Sequence, residues 1–526
     1  MGPLVNALDL RGGPLLLGWP PPIDTRRNSI GGCRWEPDLN SVNLADVFVG
    51  LGNRWPDRRA TISANLNLTY AQLVARASQS ARELRARDIR AETNVGISLR
   101  DNAESLVLMI ALWMLGATAV PMDFRTNAAE KALLAQEFDL VAIIEDRKVT
   151  AAAYESVLVD ASWSETIAKH DDGPVWPGEQ QAIAAFISLT SGTTGRPKGI
   201  VIDHERMLLR SIFDTERLEG PLLNPLPMSF SASRTHAFAA LLQGSAVYFY
   251  PLLFSAEQLA ETIIAGEANS LCAVPTIIRN FFEVFGERQE LAFPKLEALY
   301  CFGAPMAPNE KVRAKRTVCD NFVQVYGATI CGRISALSGP DLEAWPDTLG
   351  HVLPHVLLQI VDADDKVLPA GESGIIRLRS PGMARSIHGC ATPGAGDSFK
   401  AGWAYPGDLG AIDEDGFLHL QGRTSDLIIR GGANVHPSEV EVVLAECAGV
   451  QDVAVVGFTK LPEGEEIAAF VVSSDNLTEA ALDAHCRTRL APDKRPRKFV
   501  FVPDLPRNAN GKVLRSELRK QLEKPS

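Results

Sequence analysis

No run of eighteen or more apolar residues occurs in the sequence, so no helix of membrane-crossing length is expected. The eight cysteines, at 33, 272, 301, 319, 331, 390, 447 and 486, are scattered without a Cys-x-x-Cys pair. That spacing argues against a disulfide framework and a structural zinc site, and reduced thiols suit a cytoplasmic protein. Positive charge is also scarce. Against 64 Asp and Glu stand 52 Lys and Arg, a formal net charge of −12, which disfavours a nucleic-acid backbone as partner. A secretory leader needs a basic segment ahead of a long apolar one. Residues 14–19 are mostly apolar but are followed by Pro20, Pro21 and Pro22, so 1–42 reads as an irregular N-terminal extension. Neither an internal repeat nor a low-complexity tract is found.

What is present is the composition of an ordinary globular enzyme, 46% hydrophobic and 22% charged. A chain of 526 residues exceeds one core and suggests about three domain-sized units. Apolar runs at 95–99, 141–145, 184–189, 246–250, 270–274, 298–302 and 322–326 read as strands. Segments 44–51, 70–84, 256–265, 309–315 and 516–523 read as helices, and Asp101-Asn102 offers a cap for another reaching Leu115. Alternating strands and helices predict an α/β fold on parallel sheet. An Asp- and Gly-rich β region spans 401–421, after which the character changes. The expected division is a large domain of mixed and parallel sheets over 43–424 and a small mobile α/β domain over 425–526, with the boundary at Ser425.

The most informative stretch is ISLTSGTTGRPKGIV, residues 187–201. A short apolar run gives way to Thr190, Ser191, Gly192, Thr193, Thr194 and Gly195, which reads as a strand ending in a loop. Glycines let a ligand approach the backbone, whose successive N–H groups can form an anion-binding nest. The hydroxyls and the Lys198 ammonium add donors. Such a loop suits a polyphosphate. It is not the nucleotide loop that ends in Gly-Lys-Ser/Thr, because Gly195 is followed by Arg196, Pro197 and Lys198. A hairpin rich in turn residues is the bland alternative. The ten-residue string TSGTTGRPKG, however, resembles the phosphate loop of the adenylate-forming superfamily, which comprises acyl-CoA ligases, peptide-synthetase adenylation domains and luciferases.

Five further segments resemble that family in the same order, from about residue 43 to 520. Phe302-Gly303-Ala304-Pro305 is similar to its adenine-side loop, where small residues let the base lie against backbone. Tyr326-Gly327-Ala328-Thr329 resembles the YGxTE segment, which implies Tyr326 stacked on adenine and the Thr329 hydroxyl at the α-phosphate. Trp403 with Gly407-Asp408-Leu409 resembles GW…TGDL; Asp408 would accept from both ribose hydroxyls, a task suited to a carboxylate. Residues 422–426 and 431–439 resemble the hinge and the loop after it. The resemblance implies Arg423 on the ribose, Ser425 as the hinge, and Gly431-Gly432 lining a thiol tunnel. Pro506 to Lys512 resembles the loop that carries the catalytic lysine, here Lys512. Taken singly, each segment reads as a turn, a core strand or a surface charge; the ordered set carries the resemblance.

The resemblance implies a two-step reaction using ATP, Mg²⁺ and coenzyme A. A carboxylate attacks the α-phosphate of ATP to give acyl-adenylate and pyrophosphate, and a thiol then displaces AMP. Lys512 would stabilise charge at the α-phosphate. The small domain would then swing about Ser425 and exchange Lys512 for the Gly431 loop. Two departures stand out. Ile330 occupies the place of the family's glutamate that helps hold Mg²⁺; since that ion is bound largely by phosphates, the expected effect falls on efficiency. Where ligases carry a histidine in a Pro-Leu-x-His turn, Pro225-Leu226-Pro227 is followed by Met228, and His236 is the candidate replacement.

The acyl pocket is expected from Met228, Ser233, Arg234, His236, Phe302, Cys331 and Arg333. An inward arginine would call for a small acid with a second anionic group in place of a long alkyl chain. The blander expectation is that each arginine points to solvent or to a structural carboxylate. No metal site built from protein ligands is expected. The loop at 431–439 favours CoA as acceptor. The second reading is a stand-alone adenylation enzyme loading a carrier protein, and the third a degenerate, non-catalytic homologue. Against the third stands the survival of Lys512, Asp408, Arg423 and the phosphate loop. The partners are a small-molecule acid, ATP and CoA, in a monomer or homodimer.

Overall fold

The helix Asn102–Met114 is apolar on every side from Leu106 onward, and all of its residues are buried, as a stretch of helix without a polar face must be. Asp101 caps it by accepting from the N–H groups of Ala103 and Glu104. Its two ends reach different sheets. Asn102 Nδ2 donates to the carbonyl of Leu226 at 3.0 Å, and Trp113 Nε1 donates to that of Ala185 at 3.0 Å. Trp113 also joins the rings of Phe48, Phe186 and Phe238 in one aromatic cluster within the main core.

In this computed structural model the described residues are 42–147, 149, 153–176, 184–190, 198–213, 220–389, 398–430, 433–460, 464–473, 477–507 and 513–523. The first large sheet has nine strands, in the order His351–Val352, Gly332–Leu337, Phe322–Ala328, Ala298–Cys301, Ser270–Ala273, Leu222–Asn224, Val247–Phe249, Arg59–Ile62 and Leu68–Thr69. The run from Phe322–Ala328 to Arg59–Ile62 is parallel throughout. The second sheet has seven strands, with Ala184–Thr190, Thr118–Pro121, Asn94–Ser98, Leu140–Glu145 and Ser156–Leu158 parallel, and the hairpin partner Lys198–Asp203 antiparallel at one side. A six-stranded antiparallel sheet over 357–423 carries the Asp- and Gly-rich region. The strands expected from apolar runs form within a residue or two of their expected limits. Leu222–Asn224 escaped sequence reading because three residues between Pro221 and Pro225 show no periodicity.

Residues from 428 onward build cores of their own. Ile428, Val435, Val440, Leu444, Val455, Ile467 and Leu482 form one cluster, and Ala454, Val456, Phe470, Leu505 and Leu518 another, on opposite faces of the sheet Val450–Lys460, Gly464–Ser473 and Lys498–Phe501. Alternation along Val453 to Val456 sends successive side chains to the two sides. The last helix, Arg515–Glu523, is tied back by Arg515 to Glu441 at 2.6 Å.

Candidate active site

Parallel strands point their carboxyl ends the same way, and in open α/β sheets ligands bind beyond those ends. In the nine-stranded sheet that edge carries the turn 225–230, the loop 302–305 and the hairpin 328–331. Tyr326 closes one side. Its strand turns back on itself at once, with Gly327 opposite Arg333. A Cβ on Gly327 would stand 2.6 Å from the Gly332 carbonyl, so only glycine admits this hairpin.

The Tyr326 hydroxyl donates to Asp408 Oδ2 at 2.6 Å, and Arg423 Nε lies 2.8 Å from Asp408 Oδ1. The three residues come from separate segments. Asp408 opens the strand Asp408–Ile412 and pairs in register with Arg423 at the end of Leu418–Arg423. Gly407, at φ +83, turns the chain into that strand, and its carbonyl accepts from Thr424 N at 2.9 Å. Burial and the neighbouring Asp408 carboxylate hold the Tyr326 hydroxyl well above the usual tyrosine range, so it stays protonated and acts as a donor. Asp408 is 3% exposed, and its carboxylate has partners at both oxygens. This arrangement can accept hydrogen bonds from a vicinal diol.

Phe302 ends the strand Ala298–Cys301 and is buried, while Gly303 and Pro305 are exposed and Gly303 has φ +97. Phe230 Cζ would stand 3.3 Å from a Cβ on Gly303. Sequence reasoning passed over Phe230, although its ring packs on Phe302 at 5.7 Å between centroids. His236 packs on Phe302 as well, stacked at 4.9 Å and 21°. His236 also meets Tyr300 at 5.5 Å, and the Arg333 guanidinium lies 6.0 Å from the Tyr300 ring. The structure thus gathers Phe302, His236 and Arg333 through Tyr300. Met228 is buried, and its N–H donates to Asn102 Oδ1 at 2.9 Å.

Two of the expected acyl-pocket residues are held by protein partners. Ser233 is fully buried, with its hydroxyl engaged by Asn224 and the Leu226 carbonyl at 3.1 Å, which ties a turn together. Arg234 points neither to solvent nor to a carboxylate, since its Nη1 donates to the carbonyls of Met228 and Ser229 and its Nη2 to Ser188 Oγ. Cys331 is also buried, and its carbonyl accepts from Ser380 Oγ at 3.0 Å.

At the phosphate loop, Thr190 and Lys198 face each other as the last pair of a hairpin, and Thr190 Oγ1 donates to the Lys198 carbonyl at 3.2 Å. Ser191, Gly192, Thr193, Thr194 and Gly195 lie outside the described residues, as do Gly431, Gly432 and Lys512. The segment holding Lys512 is bounded by a bridge between Arg507 and Val513. Ser425 is exposed in a short turn, Thr424–Asp426. Ala304 and Pro305 follow the strand Ala298–Cys301, and Thr329 follows Phe322–Ala328. Among the described residues no group of three or more His, Cys, Asp or Glu side chains is arranged to hold a metal ion. Ile330 is 7% exposed and packed in the main core, so no carboxylate is offered where the family has its glutamate. A Mg²⁺ ion arriving with the nucleotide would depend on phosphate oxygens.

The family model for AMP-binding enzymes matches residues 51–388, and that for the AMP-binding enzyme C-terminal domain matches 439–512. The chain belongs to the AMP-binding, adenylate-forming enzymes. It is 30% identical over 481 residues to a long-chain-fatty-acid–CoA ligase, FadD13, of Mycobacterium tuberculosis, covering 87% of this chain and 94% of that one. A 2-succinylbenzoate–CoA ligase of Bacillus subtilis is 27% identical, covering 88% and 95%. The solved structure of the Bacillus subtilis o-succinylbenzoate coenzyme A synthetase with ATP and magnesium superposes with a TM-score of 0.80 at 26% identity, covering 91% and 99%. These relatives place the chain among the ATP-dependent acyl-CoA ligases, which use ATP, Mg²⁺ and coenzyme A. No helix of the described residues is long and apolar enough to cross a membrane.

Proposed function

We propose that the protein activates a compact carboxylic acid with ATP and transfers the acyl group to coenzyme A, with the nucleotide's ribose on Asp408. The observation that carries this reading is the Tyr326–Asp408–Arg423 constellation, where the carboxyl end of the strand Phe322–Ala328 meets the antiparallel sheet. Asp408 accepts from the ribose hydroxyls and Arg423 shares that contact. Tyr326 and the Gly303-Ala304-Pro305 loop flank the base. Thr190, Lys198 and the residues between them cradle the phosphates, and the Thr329 hydroxyl meets the α-phosphate. Lys512 stabilises the charge that builds there as the acid attacks. Residues 425–526 act as a separate small domain hinged at Ser425, whose motion brings the Gly431-Gly432 segment to the thiol path for the second step. The reaction takes place in the cytoplasm, in keeping with free, buried thiols such as Cys272 and Cys301.

For the acid we favour a compact molecule over a long alkyl chain. A chain beyond about eight carbons needs an apolar tunnel to realise ~0.8 kcal/mol per CH₂. Here Phe230, Tyr300, Phe302 and His236 fill the space beside the base loop, and Arg333 is buried behind Tyr300. The test is AMP release across short dicarboxylic, aromatic and medium-chain acids, each with CoA, with a carrier protein and with neither. CoA-dependent release with a short or aromatic acid supports the reading. Preference for decanoate removes the compact-acid part, and release only with carrier protein removes CoA as acceptor.

A further inference from the structure

Arg234 lies on the helix Ser231–Leu242 and is 1% exposed, yet among the described residues no carboxylate pairs with it. Its Nη1 donates to the Met228 carbonyl at 2.7 Å and the Ser229 carbonyl at 2.8 Å, and Nη2 donates to Ser188 Oγ. The guanidinium sits 4.8 Å from the centre of the Phe186 ring, and Nε has no hydrogen-bond partner. Every one of these partners is neutral. A guanidinium gives up its proton only under extreme conditions, and holding the charge in the interior without an opposite ion is costly. Burial, together with the nearby Arg210, pulls its pKa down to about 9, so the charge persists at neutral pH.

Two neighbours give this charge a direction. Ser188 precedes Thr190 by two positions on the strand Ala184–Thr190, roughly 7 Å along the chain, and Thr190 is where the strand passes into the glycine-rich loop. Met228 and Ser229 form the turn beyond Leu222–Asn224, against Phe230 and the base loop. One side chain therefore spans both large sheets, joining the base of the phosphate loop to the acyl-side turn.

We infer that Arg234 is a positioning residue that fastens the Met228–Ser229 turn to the strand feeding the phosphate loop, and that its buried charge is balanced in the working enzyme by the nucleotide's phosphates. This rests on the reading of residues 190–198 as the polyphosphate loop. The hydrogen-bonding fork fixes the relative place of acid and nucleotide, so it bears on turnover. The charge acts through space on ATP, so it bears on nucleotide affinity. The two contributions come apart in different variants.

Arg234→Met removes charge and fork, Arg234→Lys keeps the charge and loses the fork, and Ser188→Ala frees one end of the clamp with the charge intact. Each folded protein is titrated with ATP, and ATP–pyrophosphate exchange supplies kcat and the KM for ATP. Arg234→Met is expected to weaken ATP binding about tenfold or more, a loss of about 1.4 kcal/mol per factor of ten, and to shrink the rise in Tm that ATP produces. Arg234→Lys is expected to restore the affinity while kcat stays low, and Ser188→Ala to lower kcat at unchanged affinity. An Arg234→Met protein with wild-type ATP affinity overturns the inference, as does a lysine variant normal in both constants. If Arg234→Met does not fold, the lysine variant decides: normal affinity with reduced kcat supports the inference, and reduced affinity overturns it. A wild type that binds no ATP would instead remove the reading of the loop itself.

Discussion

Asp408→Asn isolates the charge of the proposed ribose site with almost no change of shape. The asparagine oxygen can still accept from Arg423, and its amide can donate to the Tyr326 hydroxyl, which is able to accept as well as donate. The Arg423 side chain is 41% exposed, so its ion pair with Asp408 is screened and worth at most about 1 kcal/mol to the fold. Stability should therefore fall by no more than about 1 kcal/mol, a shift of about 2–4 °C in Tm for a large domain. Nucleotide binding should suffer far more. Two ribose hydroxyls on a carboxylate make hydrogen bonds of about 1.5–3 kcal/mol each, against about 0.5–1.5 for neutral partners. The difference over both bonds is about 2–3 kcal/mol, or roughly 30- to 150-fold in ATP affinity. The assay is ATP–pyrophosphate exchange with ATP and with 2′-deoxyATP, beside a melting curve. The wild type should prefer ATP, and the variant should narrow that preference while its KM for ATP rises. A folded Asp408→Asn protein with unchanged KM and unchanged preference would refute the placement of the ribose.

Lys512→Ala should slow adenylation by about 10²–10³, the usual cost of losing one charge-stabilising donor, and spare thioester formation from supplied acyl-adenylate; equal loss of both half-reactions would contradict the assigned role. Ile330→Glu places a carboxylate at a position 7% exposed in the main core and should cost about 3–5 kcal/mol if the charge stays unpaired. A melting curve reads that loss, whereas a stable variant with a shifted Mg²⁺ titration would show that the side chain reaches the nucleotide. His204 is buried, its Nδ1 accepts from Leu44 N at 3.1 Å, and burial lowers its pKa from 6.5 to about 4. As pH falls below 6.5 the unfolded chain binds the proton first, so folding stability declines until the folded form also protonates near pH 4, with about 2 kcal/mol lost from this group at pH 5. His204→Asn, which keeps an acceptor, should flatten denaturant midpoints between those pH values, and an unchanged slope would show that the histidine is not the group titrating.

How much of the site was legible depended on whether a residue's role is local. Tyr326, Asp408 and Arg423 could be named because each stands in a short segment whose neighbours shape it. Gly327 must be glycine for its own hairpin, and Gly407 turns the chain just before Asp408. Phe230 was missed because a phenylalanine ahead of a helix has no local signature. Its role follows only from meeting Phe302, seventy-two positions away in the chain. The protein partners of Ser233 and Arg234 could not be read in advance, since a sequence tells which residues are near a turn and not which way they face.

The sequence by itself determined the alternation of strands and helices, because apolar periodicity and capping are properties of neighbours along the chain. It also determined the segments that chemistry requires at a nucleotide, because each is a contiguous string. Tertiary structure alone decided which of these segments, carried on different sheets, meet. It placed the Tyr326 hydroxyl on a carboxylate eighty-two residues away, and it put an arginine between two sheets with no carboxylate among the described residues to meet it. Such pairings arise from packing separate sheets against one another, and the energy that selects them is the burial of side chains from distant parts of the chain.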